Sequence, residues 1–512
     1  MHSRSSTEVT IAVEKAHAVS PNIHLQGFLQ GARFAAASLV FNGAMGLITA
    51  IVFARWMQPE SFGIYSIALV TMTLLGGLGA AGMDTTVARF VAFYGGSRQI
   101  DLIRPVLSFG IRRAGVISVA LAATSYTLLH GGVVVPARFG ALRPLAPYVA
   151  LAVPLTALSL VLMQAVLHLG AIKSRMAIEK AAQPLLRLLL PFALIFLVRS
   201  RLAAALGGVL LASVFCVVAA GVVLQRITHS LPSGTKPLPE EARIWSRYSL
   251  PFAFQSAQQF ISSGLGIDII LVGLLASLSA SGIYAAAFRI TPLLTLARVA
   301  MDYDFGPRVA ALYGRSDIAA IASLYQASST VGMAVTLPFA IVLALWSRAF
   351  LGAFFGATYA EGAAALAWLV LGCVADAATG CNTTLLAMIG KPWLVLTNGL
   401  VGGGLTVVLC LVLIPRYGIA GAAFSATAAR VCVNGMATAE LWRFLHMQPF
   451  SRNIWRLAMP AASTTLVVIC LKTQTLLRFQ SGVPILVIAV AVGLCAYLVA
   501  FRLAGLKWAQ LV

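Results

Sequence analysis

Polar residues in this chain come in short clusters, and between the clusters run apolar stretches of about 20 residues. An α-helix of that length spans the roughly 30 Å hydrocarbon core of a bilayer. The pattern predicts fourteen membrane spans, near 34–54, 62–83, 114–130, 144–169, 178–198, 202–224, 249–275, 281–301, 324–347, 362–389, 392–414, 417–439, 455–471 and 483–503. The third is short and opens on Arg112 and Arg113. Lipid offers no partner to a backbone N–H or C=O, so spans of this kind are helices, and the fold class expected is an all-α polytopic membrane protein.

The intervening segments set the organisation. Residues 1–33 are polar and lack a compact apolar run, so they read as a cytoplasmic tail without a cleavable leader, the first span serving as insertion signal. The interruption at 225–248 holds Pro232, Ser233, Gly234, Pro237 and Pro239 and reads as a linker. It separates six spans (34–224) from six more (249–440), with two further spans in 441–512. A repeat supports this division. FGIYSIA at 62–68 matches SGIYAAA at 281–287, an offset of 219, and AVLHLGAIK at 165–173 matches LLAMIGKPW at 385–393, an offset of 220. The offset covers six helices, so the copies share an orientation: two pseudo-symmetric six-helix lobes about an axis along the membrane normal, plus two C-terminal helices.

Composition agrees and adds a direction. Hydrophobic residues make up 60% of the 512, charged residues 10%, and mean hydropathy is +0.92; soluble domains carry about 25% charged residues. The net charge of +21 comes from 36 Lys and Arg against 15 Asp and Glu. All but four of the basic residues lie in the short segments between spans. With the N-terminus inside, 23 fall in inside segments and 9 in outside segments, which places both termini in the cytoplasm and makes anionic lipids, not nucleic acid, their partner. The seven cysteines lie in apolar stretches without metal spacing, and no Walker A, nucleophile-elbow or paired-His motif occurs. No catalytic residue, metal or cofactor is expected.

The run FARWMQPESFGIYSIALV (53–70) resembles the first-loop signature of bacterial polysaccharide-unit flippases of the multidrug/oligosaccharidyl-lipid/polysaccharide exporter superfamily. GAAGMDTTVARF (79–90) resembles that family's Gly-rich end of the second span, and IDIILVGLLASLSASGIYAAAFRI (267–290) its second-lobe start. Met57-Gln58 replace the usual Leu-Gly before Pro59. The first span has no acidic residue, unlike much of the multidrug branch, and it lacks the Arg-rich motif of lipid II flippases. The resemblance implies a non-enzymatic flippase in the bacterial inner membrane. It would move a polyprenyl-diphosphate-linked oligosaccharide to the periplasmic leaflet by alternating access, for lipopolysaccharide, capsule or exopolysaccharide synthesis. A polysaccharide polymerase is a candidate partner, and H⁺ or Na⁺ a candidate coupling ion. The rivals are a multidrug or cation antiporter of the same superfamily, a membrane polymerase or ligase, and a scaffold. The longest outside loop, 131–143, is short for a polymerase.

Ionisable residues inside spans are functional candidates because lipid penalises them. Arg187, two turns from Lys180, reads as a diphosphate-binding cation or as a snorkelling one. Arg289 has no acid at helical spacing, whereas Arg298 has Asp302 at i+4. Arg430 must pair across helices or face water, and Arg89 matches the family's arginine or anchors the interface. Asp268 and Asp376 are candidate ion-coupling acids or counter-ions of Arg289 and Arg430. Gln255, Gln258, Gln259 and Ser262 form a polar stripe expected to line a cavity.

Overall fold

The computed structural model describes residues 21–96, 99–130, 140, 143–229, 239–262, 266–478 and 483–503. Its regular elements are all helices among those residues. In chain order they are α1 (Pro21–Trp56), α2 (Pro59–Ala80), α3 (Met83–Gly96), α4 (Ile103–His130), α5 (Ala146–His168), α6 (Ile172–Val198) and α7 (Arg201–His229). The second half holds α8 (Pro239–Ser262), α9 (Ile267–Leu275), α10 (Leu278–Phe288), α11 (Thr291–Gly314), α12 (Ile318–Leu345), α13 (Ser347–Phe354), α14 (Ala363–Thr379), α15 (Asn382–Met388) and α16 (Pro392–Leu445). The chain closes with α17 (Ala458–Arg478) and α18 (Val483–Leu503), which pair with each other and lean on α12.

By length and composition, nine helices among the described residues can cross a membrane, or ten if α10 and α11, bent by 41°, count as one span. Helix α16 has 54 residues and breaks at Gly418 (φ 56°, ψ −136°), three residues after Pro415. Proline removes one ladder hydrogen bond and glycine tolerates the positive φ, so one continuous assignment holds two rods. Two shorter apolar helices, Val40–Trp56 and Ile488–Leu503, complete the set. The all-α membrane fold is therefore as expected, while the figure of fourteen remains a reading of the sequence.

Two boundaries differ from that reading. The third span begins well before residue 114, because α4 runs from Ile103. Its basic residues are hydrogen-bonded at the end of the bundle: Arg104 Nε donates to the Thr228 carbonyl (3.1 Å) and Arg113 to Ser246 Oγ (2.5 Å). The expected linker 225–248 also narrows. Helix α7 extends to His229 and α8 begins at Pro239. Trp245 is fully buried and donates from Nε1 to Tyr94 Oη (3.0 Å). Residues 1–20 of the expected tail and 230–238 of the linker lie outside the described residues.

Both halves of the repeat have a structural cause. The helix ends at Gly170 (φ 87°) and Gly390 (φ 80°) are the same Schellman turn. Ala171 N–H reaches Val166 O (3.1 Å), and Lys391 N–H reaches Leu386 O (3.0 Å). The FGIY and SGIY motifs pack against each other. A Cβ on Gly63 would overlap the Leu278 carbonyl, and one on Gly282 would overlap the Pro59 carbonyl. Each contact is the other shifted by 219, as a pseudo-two-fold between the lobes requires. At the far end of α2 a Cβ on Gly82 (φ 70°) would overlap the Ser249 carbonyl of α8. Helix α2 thus touches the second lobe, backbone to backbone, at both of its ends.

The α1–α2 end is further tied by Arg55. Its guanidinium caps the C-terminal carbonyls of α13, Nε on Phe354 O (2.7 Å) and a terminal nitrogen on Ala353 O. This places a cation at the negative end of a helix dipole. Tyr359 Oη donates to Ala54 O (3.2 Å) beside it.

Gly63→Val and Gly282→Val should each force the lobes apart and lower Tm in detergent, by the equivalent of about 1–3 kcal/mol or more, as overpacking does. Gly115→Ala, which faces open space, should leave Tm unchanged or slightly raised. Differential scanning fluorimetry of the three purified variants checks this.

Candidate functional site

A cavity of about 180 Å³ lies between the lobes. From the first lobe it takes Asn42, Gly46, Thr49 and Ala50 of α1, Phe62, Tyr65 and Leu69 of α2, and Pro184 and Arg187 of α6. From the second lobe it takes Arg289, at the bend between α10 and α11. Helix α6 reaches the cavity through an unusual turn. Residues Met176–Ala182 are π-helical, and Gln183 N–H bonds the Ile178 carbonyl five residues back. Pro184 follows, and a proline ring clashes with the carbonyl four residues before it, here Lys180. The wider π turn relieves that clash, and such turns recur at functional sites.

Neither Arg187 nor Arg289 has a carboxylate partner among the described residues, and Arg187 Nε is buried without any partner. Four acids inside the bundle are engaged elsewhere. Asp376 accepts from Asn434 Nδ2 (2.6 Å) and lies 3.8 Å from Arg430. Arg430 is also 3.5 Å from Cys373 Sγ. Asp302 pairs with Arg298 (3.0 Å), at the i+4 spacing read from the sequence, and accepts from Thr384 (2.8 Å). Asp268 is buried and accepts from Tyr284 Oη (2.5 Å) and the Ile269 N–H (3.0 Å). Glu179 holds both Arg175 (2.8 Å) and Lys180 (2.7 Å).

Of the residues singled out in the sequence, the structure brings Arg187 and Arg289 into one cavity. Arg430 lies apart, tied to Asp376, so its charge is already met. Arg89 is also apart. It donates to Tyr248 Oη (2.9 Å), with its guanidinium 4.5 Å from the Tyr248 ring centroid, and so joins α3 to α8. Asp268 does not neutralise Arg289; it is held by the tyrosine of the repeat motif instead. The stripe Gln255, Gln258, Gln259 and Ser262 falls on α8, but these side chains lie outside the described residues.

The sequence reading missed Asn42, Thr49 and Tyr65. Asn42 and Thr49 are seven residues apart with Gly46 between them, two turns on one face of α1, a spacing that could have been read. Tyr65 belongs to the repeat motif, but its role differs from that of its partner Tyr284. The repeat equivalents of Asp268 and Tyr284, at offset 219, are Thr49 and Tyr65. One pair is locked together and the other lines the cavity.

Asp376→Asn should leave Arg430 without its counter-charge and destabilise the fold by on the order of 2 kcal/mol, discounted from a fully buried pair because both side chains keep some exposure. The double variant with Arg430→Met should recover most of the loss. A double-mutant cycle on thermal unfolding in detergent measures the coupling.

Three solved structures place this architecture. The lipid II flippase MurJ, in an inward closed conformation, superposes with a TM-score of 0.70 at 14% identity, over 92% of this chain and 98% of that one. An inward-facing multidrug resistance transporter of the MATE family, in the MOP superfamily, gives 0.64 at 14% identity, over 79% and 94%. A MOP superfamily transporter from Pyrococcus furiosus, described as having a binding pocket of reverse polarity, gives 0.54 at 15%, over 81% and 95%. At such identities the likeness concerns the fold alone. No curated protein sequence matches the chain. The sequence family described as polysaccharide biosynthesis protein matches residues 28–299, more than half of the chain. The chain belongs to the polysaccharide biosynthesis protein family.

Proposed function

We propose that this protein flips a polyprenyl-diphosphate-linked oligosaccharide across the bacterial cytoplasmic membrane by alternating access, with both termini in the cytoplasm. The observation that carries the reading is the pair Arg187 and Arg289, one from each lobe, facing one cavity with no carboxylate among its described lining. Two guanidinium groups suit a diphosphate, because each presents a planar fork of donors to phosphate oxygens. Their position on opposite lobes supplies a mechanism. In the empty carrier two like charges face each other across the lobe interface and favour parting. A bound diphosphate reverses the sign of that interaction and draws the lobes together.

The lobes would then part at one end of α2 at a time. On the orientation given by the loop charges, the Gly63–Gly282 crossing and the Arg55 cap lie at the periplasmic end. The Arg89–Tyr248 and Arg113–Ser246 contacts lie at the cytoplasmic end. Arg89 serves here as a contact between lobes and not as a substrate ligand. Asp268 and Asp376 are already bonded within the protein, which argues for structural roles over H⁺ or Na⁺ coupling. An antiporter for cationic drugs fits less well, since the cavity would repel its cargo.

A deletion strain should accumulate the lipid-linked glycan in the inner leaflet. Arg187→Ala and Arg289→Ala should each restore at most a tenth of wild-type flipping while inserting normally, and the double variant should be little worse than either single one. Glycan flipping in proteoliposomes and complementation of the deletion strain are the readouts. Full complementation by both single variants would sink the proposal.

A further inference from the structure

The first lobe holds a second cavity, of about 200 Å³, that the central site does not use. It is framed by α2, α5, α6 and α7, and its polar lining includes Thr156, Ser159, Gln164, Gln183 and Arg187. The Arg175–Glu179 pair closes one side. Arg187 lines this cavity and the central one, so a single side chain forms the shared wall.

The lining carries unused hydrogen-bonding groups. Most helical hydroxyls among the described residues bond back to their own helix, as Thr73 does to Leu69 O (2.8 Å) and Ser213 to Val209 O (2.8 Å). The side chains of Thr156, Ser159 and Gln183 have no hydrogen-bond partner among the described residues. Gln164 accepts only one long bond, from Arg175 (3.3 Å). Arg187 Nε is buried and unpartnered. Within a membrane bundle such groups are met by water or by a ligand, because lipid offers nothing to them.

The repeat provides an internal control. At offset 220 the second-lobe counterparts of Thr156, Ser159 and Gln164 are Asp376, Thr379 and Thr384. All three are bonded within the protein: Asp376 by Asn434 (2.6 Å), Thr379 to Ala375 O (3.1 Å) and Thr384 to Asp302 (2.8 Å). A polar cluster kept only for helix packing takes that closed form. The first-lobe copy is open.

We infer that this open cavity is a carbohydrate subsite, which receives the sugar ring nearest the diphosphate. The inference rests on the flippase reading of the central cavity. Hydroxyls and amides match the alternating donors and acceptors of a sugar ring, and Leu160 and Met163 offer an apolar patch to its C–H face. A bare phosphate fits less well, since Glu179 already holds Arg175 and Lys180. Arg187, at the junction, holds the phosphate joined to the sugar. The volume admits a sugar ring and leaves the rest of the glycan outside.

The test uses the full chain in nanodiscs with two probes: undecaprenyl diphosphate without sugar, and the lipid-linked glycan purified from the deletion strain. Native mass spectrometry titrations read the affinities. The wild type should bind the glycolipid at least tenfold more tightly than undecaprenyl diphosphate. Gln183→Leu, and separately Thr156→Val with Ser159→Ala, should abolish that preference while leaving undecaprenyl diphosphate affinity within twofold. Thermal unfolding confirms that the variants are folded. Unchanged glycolipid preference in both folded variants would make the cavity a water-filled packing feature and overturn the subsite alone. Failure of undecaprenyl diphosphate to bind the wild type would overturn the diphosphate reading, and the subsite with it.

Discussion

A charge inside a bilayer must meet a counter-charge, water or a ligand, and the distribution of acids in this protein decides which cations are left over. Acids are scarce, 15 against 36 Lys and Arg. Outside the spans water answers the excess. Within the bundle Glu179, Asp302 and Asp376 neutralise Arg175, Lys180, Arg298 and Arg430. Asp268 is held by Tyr284 and contributes nothing to Arg289. Of the span arginines singled out in the sequence, Arg187 and Arg289 remain without a carboxylate partner among the described residues, and they share a cavity. The site is therefore defined as much by where the acids are as by the arginines themselves.

The duplicated scaffold explains how one lobe can be fixed while the other stays available. The positions that the repeat preserves in kind are backbone positions. Gly63 and Gly282 permit the crossing, and Gly170 and Gly390 permit the same turn. The polar positions have diverged. Thr49 and Tyr65 face the central cavity, while Asp268 and Tyr284 close on each other. Backbone approach tolerates no side chain, so both copies keep glycine. Polar side chains have a choice of partners, and the two lobes have made different ones.

That difference also marks what the sequence could reveal. The all-helical membrane fold, the repeat and the Arg298–Asp302 pair were legible because each is local or periodic. Arg289 has no acid at helical spacing, and the structure gives it no carboxylate partner among the described residues. The sequence offers Asp376 as a counter-ion of Arg289 or Arg430, but that it meets Arg430 depends on a contact between separate helices, and no spacing rule reaches across that gap. The longer α4 was obscured because Arg112 and Arg113 look like a span boundary, yet both lie within a continuous helix and Arg113 bonds to Ser246. The second cavity was invisible for a further reason: hydroxyls at i−4 spacing normally satisfy themselves, and only coordinates show which ones do not.

The glycine contacts and the two arginines are parts of one mechanical problem. Backbones touch at both ends of α2, and side chains of the two lobes also meet along it in one apolar core, with Phe62 against Tyr359 (ring centroids 6.1 Å apart) and Ile67 against Gly273. Something else must then decide when they part, and the charge pair suits that task because its sign depends on occupancy. On the flippase reading proposed above, it opposes closure when empty and favours it when filled by an anion. Conversion of either arginine to a neutral residue removes the dependence on cargo while leaving the glycine contacts in place. Loss of transport in a folded carrier is then the expected result, and a weakened fold is not.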